Sequence, residues 1–247
     1  MQAWHYGGGL CLYTGITEGR YFMLDYGFIK RVYDIKKFHG STPEEIDKLK
    51  QKFGEIPEVL EEFYLKAGNT KEFQYGQDTW IMPHDYFKYS WIQDFDEGII
   101  LLNENQGVCQ AYVRKEDLPL ADPPVYLWCG EGEEINLCAS SVSEFLMAAS
   151  AYEAAFTFEY NPEDFFYYLS LDDIEEFEAR LGKFPFKMYW ISDDIEITFY
   201  SNDPGNLIAA LSCDSAEDGG IQLIYGAVNE ESYKKLEKAI YDICEPL

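Results

Sequence analysis

A chain of 247 residues can hold one large domain or two modest ones, and with 47% hydrophobic and 17% aromatic residues it has material for a sizeable core rather than the composition of a disordered segment. Its 45 Asp and Glu against 19 Lys and Arg give a net charge of -26. Such a field repels nucleic acid and anionic lipid and attracts basic proteins, so a nucleic-acid-binding or membrane-surface role is excluded. What remains is acidity for solubility or acidity for a cationic partner.

The charge is uneven along the chain. Residues 1–40 hold 5 basic and 3 acidic residues, residues 41–160 hold 8 and 23, and residues 161–247 hold 6 and 19. The first 40 residues, with "YGGGLCLYTG" and "EGRYFMLDYGF", read as short strands separated by Gly turns. Gly7, Gly8 and Gly9 lack the spacing of a phosphate loop. "MQAWHYGGGL" has no basic n-region followed by an apolar stretch, so no secretory signal is expected.

The segment "STPEEIDKLKQKFGEIPEVLEEFYLKAGN" predicts two helices. Thr42 and Glu45 form a capping box, Pro43 opens the first helix, and Ile46, Leu49 and Phe53 share one face. Gly54 is expected as a left-handed cap. Pro57 opens the second helix, with Leu60, Phe63, Tyr64 and Ala67 inward, Glu58, Glu61 and Glu62 outward, and Gly68 as its stop. Acidic outer faces exclude a DNA-binding helix pair.

Residues 73–91 are aromatic and irregular. "GIILLNENQGVCQAYV" predicts strand, turn, strand, with Gly107 supplying a positive φ. Pro123 and Pro124 cannot sit in a central ladder, so a strand begins at "VYLW". Ser141 and Glu144 cap a helix whose stripe is Phe145, Ala148, Ala149 and Tyr152. Beyond Pro162, "PEDFFYYLSLDDIEEFEARLG" reads as a helix with Leu171, Ile174, Phe177 and Leu181 inward and Gly182 as stop. "FKMYWISDDIEITFY", "NLIAALSC" and "GGIQLIYGAV" read as three strands, and "NEESYKKLEKAIYDIC" as a closing helix. The most apolar long window, Cys138 to Phe158, carries Glu144 and Glu153 and is no membrane span.

The blocks "STPEEIDKLKQKFGEIPEVLEEFYLKAGN", "ENQGV", "DPPVY" and "SVSEFL", in that order, resemble the SUKH superfamily, the Smi/Knr-like proteins. Its helix-pair pattern is matched by Glu45, Gly54, Ile56, Pro57, Leu60, Phe63, Tyr64, Gly68 and Asn69, and the likeness spans about residues 41–156. The resemblance implies an α+β fold, a small, mostly antiparallel sheet packed by helices, over 41–158. Residues 1–40 would pack on it as an extension, and 161–247 would form a second small α+β module. It also implies a bacterial immunity protein that binds and neutralises a cognate toxin, often a nuclease. Alternatives are a regulatory scaffold of the Smi/Knr type and an unrecognised hydrolase.

Against the hydrolase, GxSxG, HExxH and P-loop motifs are absent. His84 beside Asp85 is expected to hydrogen-bond locally, and Cys109 to be a small buried hydrophobe. The six cysteines show no CxxC spacing and only three His are present, so neither metal nor cofactor is expected. The expected picture is a cytoplasmic protein, monomer favoured, whose partner is a basic toxin. Its contacts would come from acids in predicted loops, Asp94, Asp96, Glu97, Glu131, Glu133 and Glu134, with Tyr86, Tyr89 and Trp91 as aromatic anchors.

Overall fold

A computed structural model describes residues 24–131, 135–163, 166–213 and 220–246. The strands expected within residues 1–23 lie outside the described residues. From 24 onward the N-terminal stretch is helical, contrary to expectation: α1 spans Tyr26–Val32. Asp25 caps it, accepting from the Gly27 and Phe28 N–H groups at 2.8 and 3.1 Å. Phe28, Ile29 and Val32 turn inward, and the Phe28 ring meets Phe184 and Phe186 edge-on at 5.3 and 5.5 Å. A local cap and distant aromatic partners override the strand bias of a Tyr- and Phe-rich segment.

The helix pair forms as predicted. α2 is Pro43–Phe53 with the reciprocal Thr42–Glu45 capping box, and α3 is Glu58–Ala67. Gly54 between them has φ +88°. Lys50 bridges to Glu61 at 2.6 Å, tying the two helices. Gly68 does stop α3, but with φ -63°, so its smallness matters rather than its freedom. Ser41 N–H donates to Tyr64 O at 2.8 Å, and a Cβ on Gly68 would lie 2.3 Å from Ser41 Oγ.

Among the described residues the first sheet has five strands, all antiparallel, in the order β1 (Thr79–Trp80), β2 (Gly98–Asn103), β3 (Gln110–Arg114), β4 (Val125–Trp128), β5 (Asn136–Ala139). The short α4 (Ser90–Gln93) lies between β1 and β2. The β2–β3 turn is the expected ENQG, closed by Gly107 N–H to Glu104 O at 2.9 Å with Gly107 at φ +75°. The Glu104 side chain also accepts from Gln106 and Val108 N–H. Asp122, before the two prolines, accepts from the Ser143 N–H and hydroxyl. It therefore anchors the N-terminus of α5 (Val142–Thr157), where Ser141 is the cap.

One inward stripe was expected on α5, yet 13 of its 16 residues are buried. The reason is a second sheet. Among the described residues it has six antiparallel strands in the order β11-β6-β10-β9-β8-β7. In chain order these are β6 (Tyr167–Ser170), β7 (Gly182–Tyr189), β8 (Ile195–Ser201), β9 (Asn206–Cys213), β10 (Gly220–Ala227) and β11 (Cys244–Pro246). Its inner face, with Phe186, Met188, Phe199 and Leu207, joins α5 and the first sheet in one apolar core. Its outer face, with Leu169, Ile208, Ala210 and Leu223, is covered by α6 (Ile174–Arg180) and α7 (Glu230–Ile240). "NLIAALSC" is apolar without alternation because both of its faces are covered.

Three expectations for this region need correction. The helix expected over 162–182 is a strand, β6, followed by a short α6. The strand pairs with β10 and β11, and Tyr167 packs on Tyr225 at 5.2 Å. Leu171 is consequently 52% exposed, and Phe177 and Leu181 are the buried members of its supposed stripe. The single strand expected over 186–200 is a hairpin, broken where Ile191 takes φ +72°. The closing helix ends at Ile240, and the chain then adds an edge strand, making six strands where about three were expected.

Candidate partner-binding surface

Residues 84–97 cross one side of the first sheet. Tyr89 and Trp91 are 38% and 42% exposed, as surface anchors need. Tyr86 is not available: it is 1% exposed, its hydroxyl donates to Ile100 O at 2.7 Å, and its ring meets Phe53 at 5.5 Å. The 3-10 turn Asp85–Phe87 points Tyr86 into the core and leaves Phe87 41% exposed. Phe87, which sequence reasoning missed, belongs with Tyr89 and Trp91. Their spacing of two was the available signal.

Asp94, Asp96 and Glu97 are exposed on the loop between α4 and β2. Phe95 between them is buried and holds the loop down, edge-on to Tyr112 and Trp128 at 5.5 Å each. Lys52 reaches under the same loop, donating to Gln93 O at 2.7 Å, with its charge felt by Asp96 and Asp94. The loop is therefore acidic but not free of counter-charge. Glu131 is exposed beyond β4; Glu133 and Glu134 lie outside the described residues.

A groove of about 660 Å³ opens beside this segment. Residues 68–70, 73–74, 76–82, 84–85, 88–89 and 91 line it, so Tyr89 and Trp91 stand at it together with both residues of β1. His84 Nε2 lies 3.4 Å from Asp85 Oδ1, while Asp85 Oδ2 accepts from Met82 N–H at 2.9 Å, closing the turn. Among the described residues, His84 Nδ1 is buried without a hydrogen-bond partner.

Behind the groove lies a feature with no sequence signature, a buried pair of acids 75 residues apart. Glu153 of α5 is fully buried and accepts from the Asp78 N–H at 2.9 Å. Asp78 in turn accepts from Asn105 N–H of the ENQG turn at 3.0 Å and from Trp190 Nε1 at 2.7 Å. Burial, with Asp78 beside it, raises Glu153 from 4.5 to about 8, and burial raises Asp78 to about 6. Among the described residues, Glu153 Oε1 meets no donor. The arrangement is satisfied when Glu153 keeps its proton and shares it with the Asp78 carboxylate. The pair then links β1, α5, the ENQG turn and Trp190, which follows β7.

Cys109 shows the opposite of nucleophile activation, since burial pushes its thiol up to about 12. Among the described residues, no group of three or more His, Cys, Asp or Glu could hold a metal, and no helix is long and apolar enough to cross a membrane.

The geometry defines an α+β protein whose two antiparallel sheets share a central helix and whose surface joins aromatic side chains to carboxylates. Residues 40–148 match the SMI1 / KNR4 family (SUKH-1) model, so over this segment the chain is similar to that family. No curated protein and no solved structure matches it.

Proposed function

We propose that this protein is an immunity protein that binds a cationic toxin, a nuclease foremost, and neutralises it by covering its polyanion-binding groove. The observation that carries this reading is a match to the SUKH-1 family model over residues 40–148 in a chain of net charge -26. A carboxylate surface imitates the nucleic-acid backbone and steers encounter, with association rate constants reaching about 10⁸–10⁹ M⁻¹s⁻¹ at low salt. Asp94, Asp96, Glu97 and Glu131 supply charge, Glu133 and Glu134 remain candidates, and Tyr89 and Trp91 anchor the complex.

The test is capture of the partner from the native host on the full chain, then a nuclease assay with and without added chain. The expected result is a captured nuclease silenced at stoichiometric addition. Reversing Asp94, Asp96 and Glu97 to Lys is expected to slow association, and the difference should fade at high salt. A partner whose activity is unaffected by the chain would refute the function; an unchanged association rate at low salt would refute the assignment of this loop.

A hydrolase remains the second reading because a groove holds His84 and Asp85. Against it, Asp85 is engaged with the Met82 N–H and Glu153 is sealed inside the core.

A further inference from the structure

The groove beside β1 combines features that the acidic loop alone does not. Two exposed rings, Tyr89 and Trp91, line the groove together with Asp78 and Asp85, which are 5% and 8% exposed. Low-dielectric walls strengthen the field of carboxylates recessed in this way. The face of Tyr89 already holds a cation, since Lys88 Nζ lies 4.5 Å from its ring centroid. Among the described residues β1 is the terminal strand of its sheet, only two residues long, and both of its residues, Thr79 and Trp80, line the groove. An open sheet edge is where an extended segment of another chain docks.

We propose that this groove receives an arginine side chain presented on an extended segment of the cationic partner, a proposal that rests on the protein-binding reading above. Charge complementarity selects a cation. Arginine is preferred to lysine because a guanidinium is weakly hydrated, stacks flat on an aromatic face and offers a fork of donors to a carboxylate. The guanidinium displaces the Lys88 ammonium from the Tyr89 face or stacks on Trp91, and its donors meet Asp85 Oδ1, since Asp85 Oδ2 and both Asp78 oxygens already accept hydrogen bonds. The groove thus supplies specificity where the acidic loops supply steering.

The test uses the full chain, ¹⁵N-labelled, in low salt, titrated with an eight-residue peptide alternating arginine and serine. Peptides with lysine or glutamine in place of arginine serve as controls. The expected result is saturable shifts of the Trp91 indole and of amides 76–80 and 84–91, several-fold weaker with lysine and absent with glutamine. Tyr89→Ala with Trp91→Ala is expected to weaken the arginine peptide about tenfold, because the aromatic face on which the guanidinium stacks is gone. Lys88→Ala should tighten it, because a competing cation is gone. Shifts confined to residues 94–97 or other acidic loops would overturn the groove while leaving the acidic-surface reading intact. Absence of shifts anywhere would overturn both. Equal binding of arginine and lysine peptides, or no response to the variants, would also overturn the proposal.

Discussion

Replacing Glu153 by Gln should make this protein more stable at neutral and alkaline pH. In the folded chain Glu153 holds its proton up to about pH 8, whereas unfolded it releases it near 4.5. Folding therefore binds a proton throughout that window, and stability is greatest below the unfolded value and falls as pH rises through the folded one. The slope for one proton is about 1.4 kcal/mol per pH unit, so between pH 6 and 8 the wild type should lose about 3 kcal/mol that the variant keeps. The amide is a fair copy of the protonated acid: its oxygen accepts from the Asp78 N–H and its NH₂ donates to the Asp78 carboxylate. Urea unfolding at pH 5, 6, 7 and 8 on both proteins measures the difference, and groups that titrate alike in both cancel. Parallel stability curves would show that Glu153 is ionised in the native state and that the shared-proton account is wrong.

Two further substitutions probe the same junction. Gly76→Ala places a Cβ 2.0 Å from Glu153 Oε2, beside buried backbone, so a loss of about 1–3 kcal/mol is expected by thermal melting; an unchanged melting temperature would mean that the carboxyl moves aside at no cost. Trp190→Phe removes the indole donor to Asp78 at 2.7 Å and leaves a buried acceptor short of a partner, which costs about 1–3 kcal/mol. Its deficit should shrink when Glu153→Gln is also present, and strictly additive losses would separate the two groups.

The helix pair and the ENQG turn were legible because their information is local. Thr42 and Glu45 satisfy each other three residues apart, and Gly107 supplies a backbone conformation that other residues avoid. The acidic loop 94–97 was legible too, since three carboxylates around one apolar residue are stable in water and little else. Tyr86 was misjudged for a geometric reason. Aromatic residues two apart in an irregular segment look alike in sequence, and only the 3-10 turn at Asp85–Phe87 decides which one points inward.

What the sequence determined by itself was therefore the capped helices, the turns, the acidity and the family likeness, all set by short-range sterics or by composition. Tertiary structure alone decided that α5 would be buried on nearly every side and that "YYLS" would give a strand rather than a helix, since each depends on a sheet contributed by residues far along the chain. It alone brought Asp78, Asn105, Glu153 and Trp190 together. A carboxylic acid in sequence carries no mark of burial; desolvation and the nearness of a second acid, which shift its proton affinity, exist only once the chain has folded around it.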